Sequence, residues 1–187
     1  APERLIPFCQ VPLQDADAAC AELDRCMDNG HVGVEIGNHA GDRDLDSEAV
    51  ITFLQHCASR DVPVFVHPWD MPTAPRTDGW MLEWLVGMPA ETHLSLLRLA
   101  LTGAFDRLPE SLRIGFAHGG GSFAYWLGRA DNAWHQRHDL VGRMLALHRE
   151  PDALLGQGLA RPVGEVGQRG KGARAHDIPL LLEVLDP

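Results

Sequence analysis

Two apolar runs end in histidine: His67 closes "VPVFVH" (62–67) and His118 closes "LRIGFAH" (112–118). A neutral imidazole either ligates a cation such as Zn²⁺ or moves a proton near neutral pH. One histidine cannot hold zinc, which takes three or four ligands, so His67 needs partners, for which Asp70 and His118 are the candidates. His118 is followed at once by Gly119, Gly120 and Gly121. Each glycine costs backbone entropy, so the run points to a close backbone or ligand approach, or to unusual dihedrals. In that setting His118 suits a general acid/base working on a metal-bound water. The glycines would open amides at the next helix start to a carboxylate, and Arg129, on that helix, could clamp one bidentately. The plainer alternatives are a hydrogen-bonded structural histidine, a turn cap for Asp70 and a surface ion pair for Arg129.

A serine hydrolase competes for the same stretch. "HGGG" occurs in some oxyanion-hole loops, and "GGSFA" falls one residue short of the G-x-S-x-G elbow, with Ala124 in the last position. Those two devices occupy separate segments in esterases, whereas here they overlap, which disfavours Ser122 as a nucleophile.

The elements that must position these residues alternate. Strand-like runs at 4–11, 31–37, 62–67 and 112–118 are separated by helix-like runs at 15–30, 46–61, 89–108 and 122–137. Gly30 is the expected stop of the first helix, Asp46 the expected N-cap of the second, and Pro89 opens the third. A long connection, 68–87, carries Trp69, Trp80 and Trp84. Apolar strands alternating with helices predict an α/β fold with a parallel sheet covered on both sides. Such a sheet carries its chemistry at the carboxyl ends of its strands, where His67 and His118 fall.

Composition narrows the partners. At 187 residues the chain can bury a domain-sized core. Its formal charge of −10 disfavours nucleic acid and membrane surfaces, both of which are negative, and no apolar run is long enough to span a bilayer. Cys9, Cys20, Cys26 and Cys57 show no C-x-x-C pairing, and with no secretory leader a reduced, cytoplasmic setting is expected. The chain opens on Ala1 in what reads as mid-domain, so a fragment is expected. Residues 138–187 change character: all 12 aromatic residues lie between Phe8 and Trp134, and "GQGLARPVGEVGQRGKGARAHD" (156–177) is rich in glycine and arginine. This tail reads as an atypical segment, disordered in part or translated from a shifted frame.

"VFVHPWDM", "WLVGMPAET" and "FAHGGGSFAYWLGR" together resemble the aminocarboxymuconate-semialdehyde decarboxylase family, metal-dependent members of the amidohydrolase superfamily, and "HVGVEIGNHAGDRDLD" is similar to that family's preceding strand and loop. The resemblance covers roughly residues 4–137. It implies a (β/α)₈ TIM barrel, of which residues 1–137 would form about four βα units, and a homodimer in the complete enzyme. It implies non-oxidative loss of CO₂ from 2-amino-3-carboxymuconate 6-semialdehyde, a dicarboxylate of tryptophan and 3-hydroxyanthranilate catabolism (the kynurenine pathway). It implies that His67 ligates zinc, that His118 is the acid/base, and that Arg129 reaches a substrate carboxylate across the dimer. Met71 and Trp84 match pocket-lining positions.

The family's His-x-His ligand pair, an arginine after it, and the aspartate of a Gly-(Thr/Ser)-Asp-Tyr-Pro stretch have no counterpart; Asp177 and Asp186 stand in other contexts. The zinc site is therefore expected to be incomplete in this chain. The alternatives are a hydroxybenzoate-type decarboxylase of the same superfamily and an inactive half-barrel without a metal site.

Overall fold

A computed structural model describes residues 4–71 and 75–137; the expected tail at 138–187 lies outside the described residues. The first half runs β1 (Phe8–Cys9), α1 (Ala16–Asp28), β2 (Gly33–Ile36), a two-residue hairpin of β3 (His39–Ala40) and β4 (Arg43–Asp44), then α2 (Glu48–Ser59) and β5 (Val64–Val66). The second half holds α3 (Met88–Leu101), β6 (Ile114–Phe116), a single turn α4 (Ala117–Gly120) and α5 (Phe123–Gln136). The main sheet has the order β1-β2-β5-β6, parallel throughout, with Val34 opposite Val64 and Val64 opposite Ile114. Four βα units in sequential parallel order form one part of a (β/α) barrel wall.

The two faces of the sheet differ. Val34, Ile36, Val64, Val66, Ile114 and Phe116 are buried on the helix side, joined to Leu23, Phe53, Leu54, Leu96 and Leu99 in one core. The intervening row, Glu35–Phe65–Gly115 in register, carries a charged residue and a half-buried ring. Strand alternation explains this: side chains i and i+2 share a face, and the Glu35 and Phe65 side chains lie on the face that the helices do not cover.

Several local expectations are corrected. The first run contributes only Phe8–Cys9 as strand. Ser47, not Asp46, stands at the N-cap of α2. Asp46 instead accepts from the Arg98 guanidinium, with both carboxylate oxygens 3.1 Å from Nη2. A side chain can serve a cap or a long-range ion pair, and here the charge-assisted pair takes it. The third helix stops at Leu101 rather than 108, because Gly103 turns left-handed at φ +71° and starts a separate 3₁₀ turn. The β3–β4 hairpin was not anticipated, two residues per strand being too short for a period-2 signal. All four cysteines are free thiols, and burial pushes Cys9 up to about 12. Among the described residues no helix is long and apolar enough to cross a membrane.

Candidate functional site

His67 lies one residue past β5, and its backbone N–H donates to Ile36 O at 2.9 Å, extending the ladder. It shares a face with Phe65, whose ring centroid is 6.2 Å away, so its imidazole belongs to the less covered side of the sheet. Strict alternation from buried Phe116 would send His118 to the helix side. It does not go there, because His118 adopts a left-handed backbone, φ 55° and ψ 36°. The ring centroids of His118 and His67 are 5.2 Å apart. A non-glycine residue in this region costs about 1–2 kcal/mol, so surrounding contacts must hold it.

Those contacts come from the first turns of α3. Thr92 Oγ1 lies 3.4 Å from His118 Nδ1. Gly121, at φ +63°, passes so close to α3 that a Cβ there would stand 2.1 Å from Pro89 O and 3.0 Å from His93 N. Ser122 Oγ is 3.2 Å from His93 Nδ1. The three glycines are thereby explained: Gly119, Gly120 and Gly121 all take positive φ, and the last also lies against a carbonyl. Ser122 is not in the strained position an elbow nucleophile occupies; its φ is −99°, and the strained residue is His118.

His118 is exposed by surface area, yet desolvation where it packs against its neighbours, reinforced by His67, lowers its pKa below the usual imidazole value. Burial likewise lowers that of His93, against a smaller opposing contribution from Ser122. A neutral imidazole at pH 7 follows for both.

A second cluster, which the sequence did not disclose, ties neighbouring loops together. His39 Nδ1 faces Gly41 O at 2.8 Å and Nε2 faces Asp70 O at 3.2 Å. Burial opposes charge on His39, yet these carbonyls and Glu91 outweigh it and raise its pKa. Glu91, 5% exposed, has its own carboxyl pKa raised by burial. Ser95 Oγ donates to Glu91 O at 3.0 Å and lies 3.3 Å from Asn38 O. Thr92 and Ser95 sit on the buried face of α3, and nothing in their spacing separated a polar service role from ordinary helix packing.

The remaining predicted residues are more dispersed. Asp70 and Trp69 are exposed. Met71 packs beside Gly87, and Trp84, in the turn Glu83–Gly87, is 57% exposed. Arg129 is exposed on α5, its guanidinium 5.8 Å from the Trp126 ring centroid. Among the described residues no hydrogen bond or ion pair joins Arg129 to His67 or His118. Nor do the described residues contain a group of three or more histidine, cysteine, aspartate or glutamate side chains able to hold a metal ion. His67 and His118 alone do not fit a zinc centre. Their rings face one another, 5.2 Å apart between centroids, at the carboxyl edge of two adjacent strands.

A protein-family model described as Amidohydrolase matches residues 1–167. A curated relative, the 2-amino-3-carboxymuconate-6-semialdehyde decarboxylase of Dictyostelium discoideum, is 38% identical over 140 residues, 74% of this chain and 39% of its own length. The solved structure of Metarhizium anisopliae IDCase in apo form superimposes with a TM-score of 0.67 at 25% identity, over 74% of this chain and 38% of that one. Dihydroxybenzoic acid decarboxylase from Polaromonas sp. JS666, solved with bound manganese and 2-nitroresorcinol, gives 0.55 at 30% identity over 69% and 42%. The chain thus spans about two fifths of the length of these relatives. On the breadth of the family match and this identity, the chain belongs to the amidohydrolase family, as part of its barrel.

Proposed function

We propose that the protein carrying this chain catalyses non-oxidative decarboxylation of 2-amino-3-carboxymuconate 6-semialdehyde, with His118 as the acid/base. The observation that carries this is the pairing of His118 and His67 rings, 5.2 Å apart at the strand ends, in a chain 38% identical over 140 residues to a protein named as a decarboxylase of that substrate. Loss of CO₂ breaks a carbon–carbon bond and leaves an electron pair on the substrate carbon. A neutral His118 takes a proton from a water molecule in the site, the imidazolium returns it to that carbon after CO₂ departs, and the hydroxide left behind takes up a solvent proton. The lowered pKa suits this, since it keeps the ring neutral and ready as a base near pH 7.

A dicarboxylate substrate wants cations. Arg129, exposed on α5 and held over Trp126, is suited to reach a carboxylate bound by a second copy in a homodimer, and Met71 and Trp84 are the proposed apolar lining. His67 is proposed as this chain's one ligand to a divalent metal, zinc or the manganese that a relative carries, the family's other ligand motifs having no counterpart in this sequence. The proposed setting is cytoplasmic.

The test is CO₂ release from that semialdehyde, alongside 2,6-dihydroxybenzoate, by the wild-type protein and two variants. His118→Ala should keep bound metal and lose turnover, whereas His67→Ala should lose both. Turnover of the hydroxybenzoate alone would move the assignment to that branch. A His118→Ala protein with full turnover, or a wild type that turns over neither, would end the proposal.

A further inference from the structure

We propose that Thr92 is a positioning residue that fixes His118 as the Nδ1–H tautomer and so leaves Nε2 as its proton-accepting nitrogen. This rests on the reading of His118 as the acid/base. Thr92 is fully buried in the first turns of α3. Its Oγ1 lies 3.2 Å from Met88 O and 3.4 Å from His118 Nδ1. A hydroxyl has one proton and two lone pairs. The Met88 carbonyl can only accept, so the threonine proton goes to it, the usual back-bond of a helical threonine to the carbonyl four residues earlier. Only lone pairs then remain for the imidazole, and a lone pair calls for an N–H. Nδ1 is therefore the protonated nitrogen of the neutral ring.

Two further contacts keep the hydroxyl and ring in place. Gly121 abuts Pro89 O with no room for a Cβ, and Ser122 meets His93 at 3.2 Å. These tie the 118–122 turn to residues 89–93 on either side of the Thr92 contact. The strained backbone of His118 aims the ring, and Thr92 decides which nitrogen carries the proton. This is the service that an acceptor behind a catalytic histidine performs wherever tautomer matters.

The experiment compares wild type, Thr92→Val and Thr92→Ser. Valine matches the shape of threonine without the hydroxyl, and serine restores the hydroxyl without the methyl. In ¹⁵N-histidine-labelled chain, with the His118 resonances assigned by their loss in His118→Gln, the neutral ring of the wild type should show a protonated Nδ1. That signature should weaken or reverse in Thr92→Val and return in Thr92→Ser. Where turnover is measured, Thr92→Val should lower kcat about 10- to 100-fold, the range seen when a supporting hydrogen bond is removed from a site residue. KM should be unchanged, and Thr92→Ser should recover most of the loss. A wild type with Nε2–H, or a tautomer indifferent to Thr92→Val, overturns the inference. The nitrogen spectra report on the tautomer without any turnover, so failure of the decarboxylase assignment registers separately in the His118→Ala assay.

Discussion

Gly121→Ala is the substitution that most directly interrogates how the 118–121 turn is built. Two costs apply. Its backbone, at φ 63° and ψ −127°, lies where side chains are disfavoured by about 1–3 kcal/mol. The new methyl would also stand 2.1 Å from Pro89 O, and since a helix carbonyl cannot swing aside like a side-chain end, overpacking adds about 1–3 kcal/mol. The expected total is about 2–6 kcal/mol, set against a domain stability of about 5–15 kcal/mol. Gly119→Ala is the internal control: its φ is +59°, but nothing lies within 4 Å of the added Cβ, so only the left-handed cost of about 1–2 kcal/mol remains. Urea unfolding followed by both far-ultraviolet circular dichroism and tryptophan fluorescence measures the difference. With a slope of about 2 kcal/mol per molar, Gly121→Ala should lower the midpoint by about 1–3 M and Gly119→Ala by about 0.5–1 M. Equal midpoints for the two variants would refute the claim that the turn is pressed against α3.

Two other predictions follow from the ties around the site. Arg98 binds Asp46 and, through Nε at 3.1 Å, Asp44; Arg98→Ala leaves the largely buried Asp46 carboxylate uncompensated. It should cost about 1–2 kcal/mol, at the low end for a charged hydrogen bond because Arg98 and Asp44 are partly exposed, and a urea midpoint unchanged from wild type would count against it. The His39 tether predicts a pH dependence whose sign is fixed by its raised pKa. Both ring nitrogens face carbonyls, so the imidazolium is the form that satisfies both, with Glu91, Asp70 and Asp44 as the carboxylates around it. Its stabilisation is complete below the unfolded histidine value of about 6.5 and is lost as pH rises through the higher folded value. Between pH 6 and pH 8 the wild-type midpoint should fall more than that of His39→Gln; parallel profiles would show that His39 carries no such linkage.

The sequence by itself determined the order of elements, because hydrophobic periodicity and turn residues are local. Four apolar runs alternating with helical runs became β1, β2, β5 and β6 with α1, α2, α3 and α5, and the placement of His67 and His118 at strand ends followed from where those runs stop. The motifs also carried the decarboxylase relationship, since they are contiguous stretches of chain. Element ends were less legible. Asp46 looked like a cap until Arg98, 52 residues away, claimed it, and Gly103 broke a helix that apolar spacing alone continued.

Only the tertiary structure decided which face His118 uses. Alternation from Phe116 sends it toward the helices, and a left-handed residue sends it instead to the ring of His67. A single positive φ leaves no trace in a pattern of apolar residues; it is held by α3, whose Pro89, Thr92 and His93 lie 25 to 29 residues earlier in the chain. Thr92 and His39 were invisible for the same reason. A threonine on a helix face and a histidine in a two-residue strand become positioning groups only when packing brings a ring nitrogen or a carbonyl within hydrogen-bond reach, a condition set by three-dimensional distance rather than by spacing along the chain.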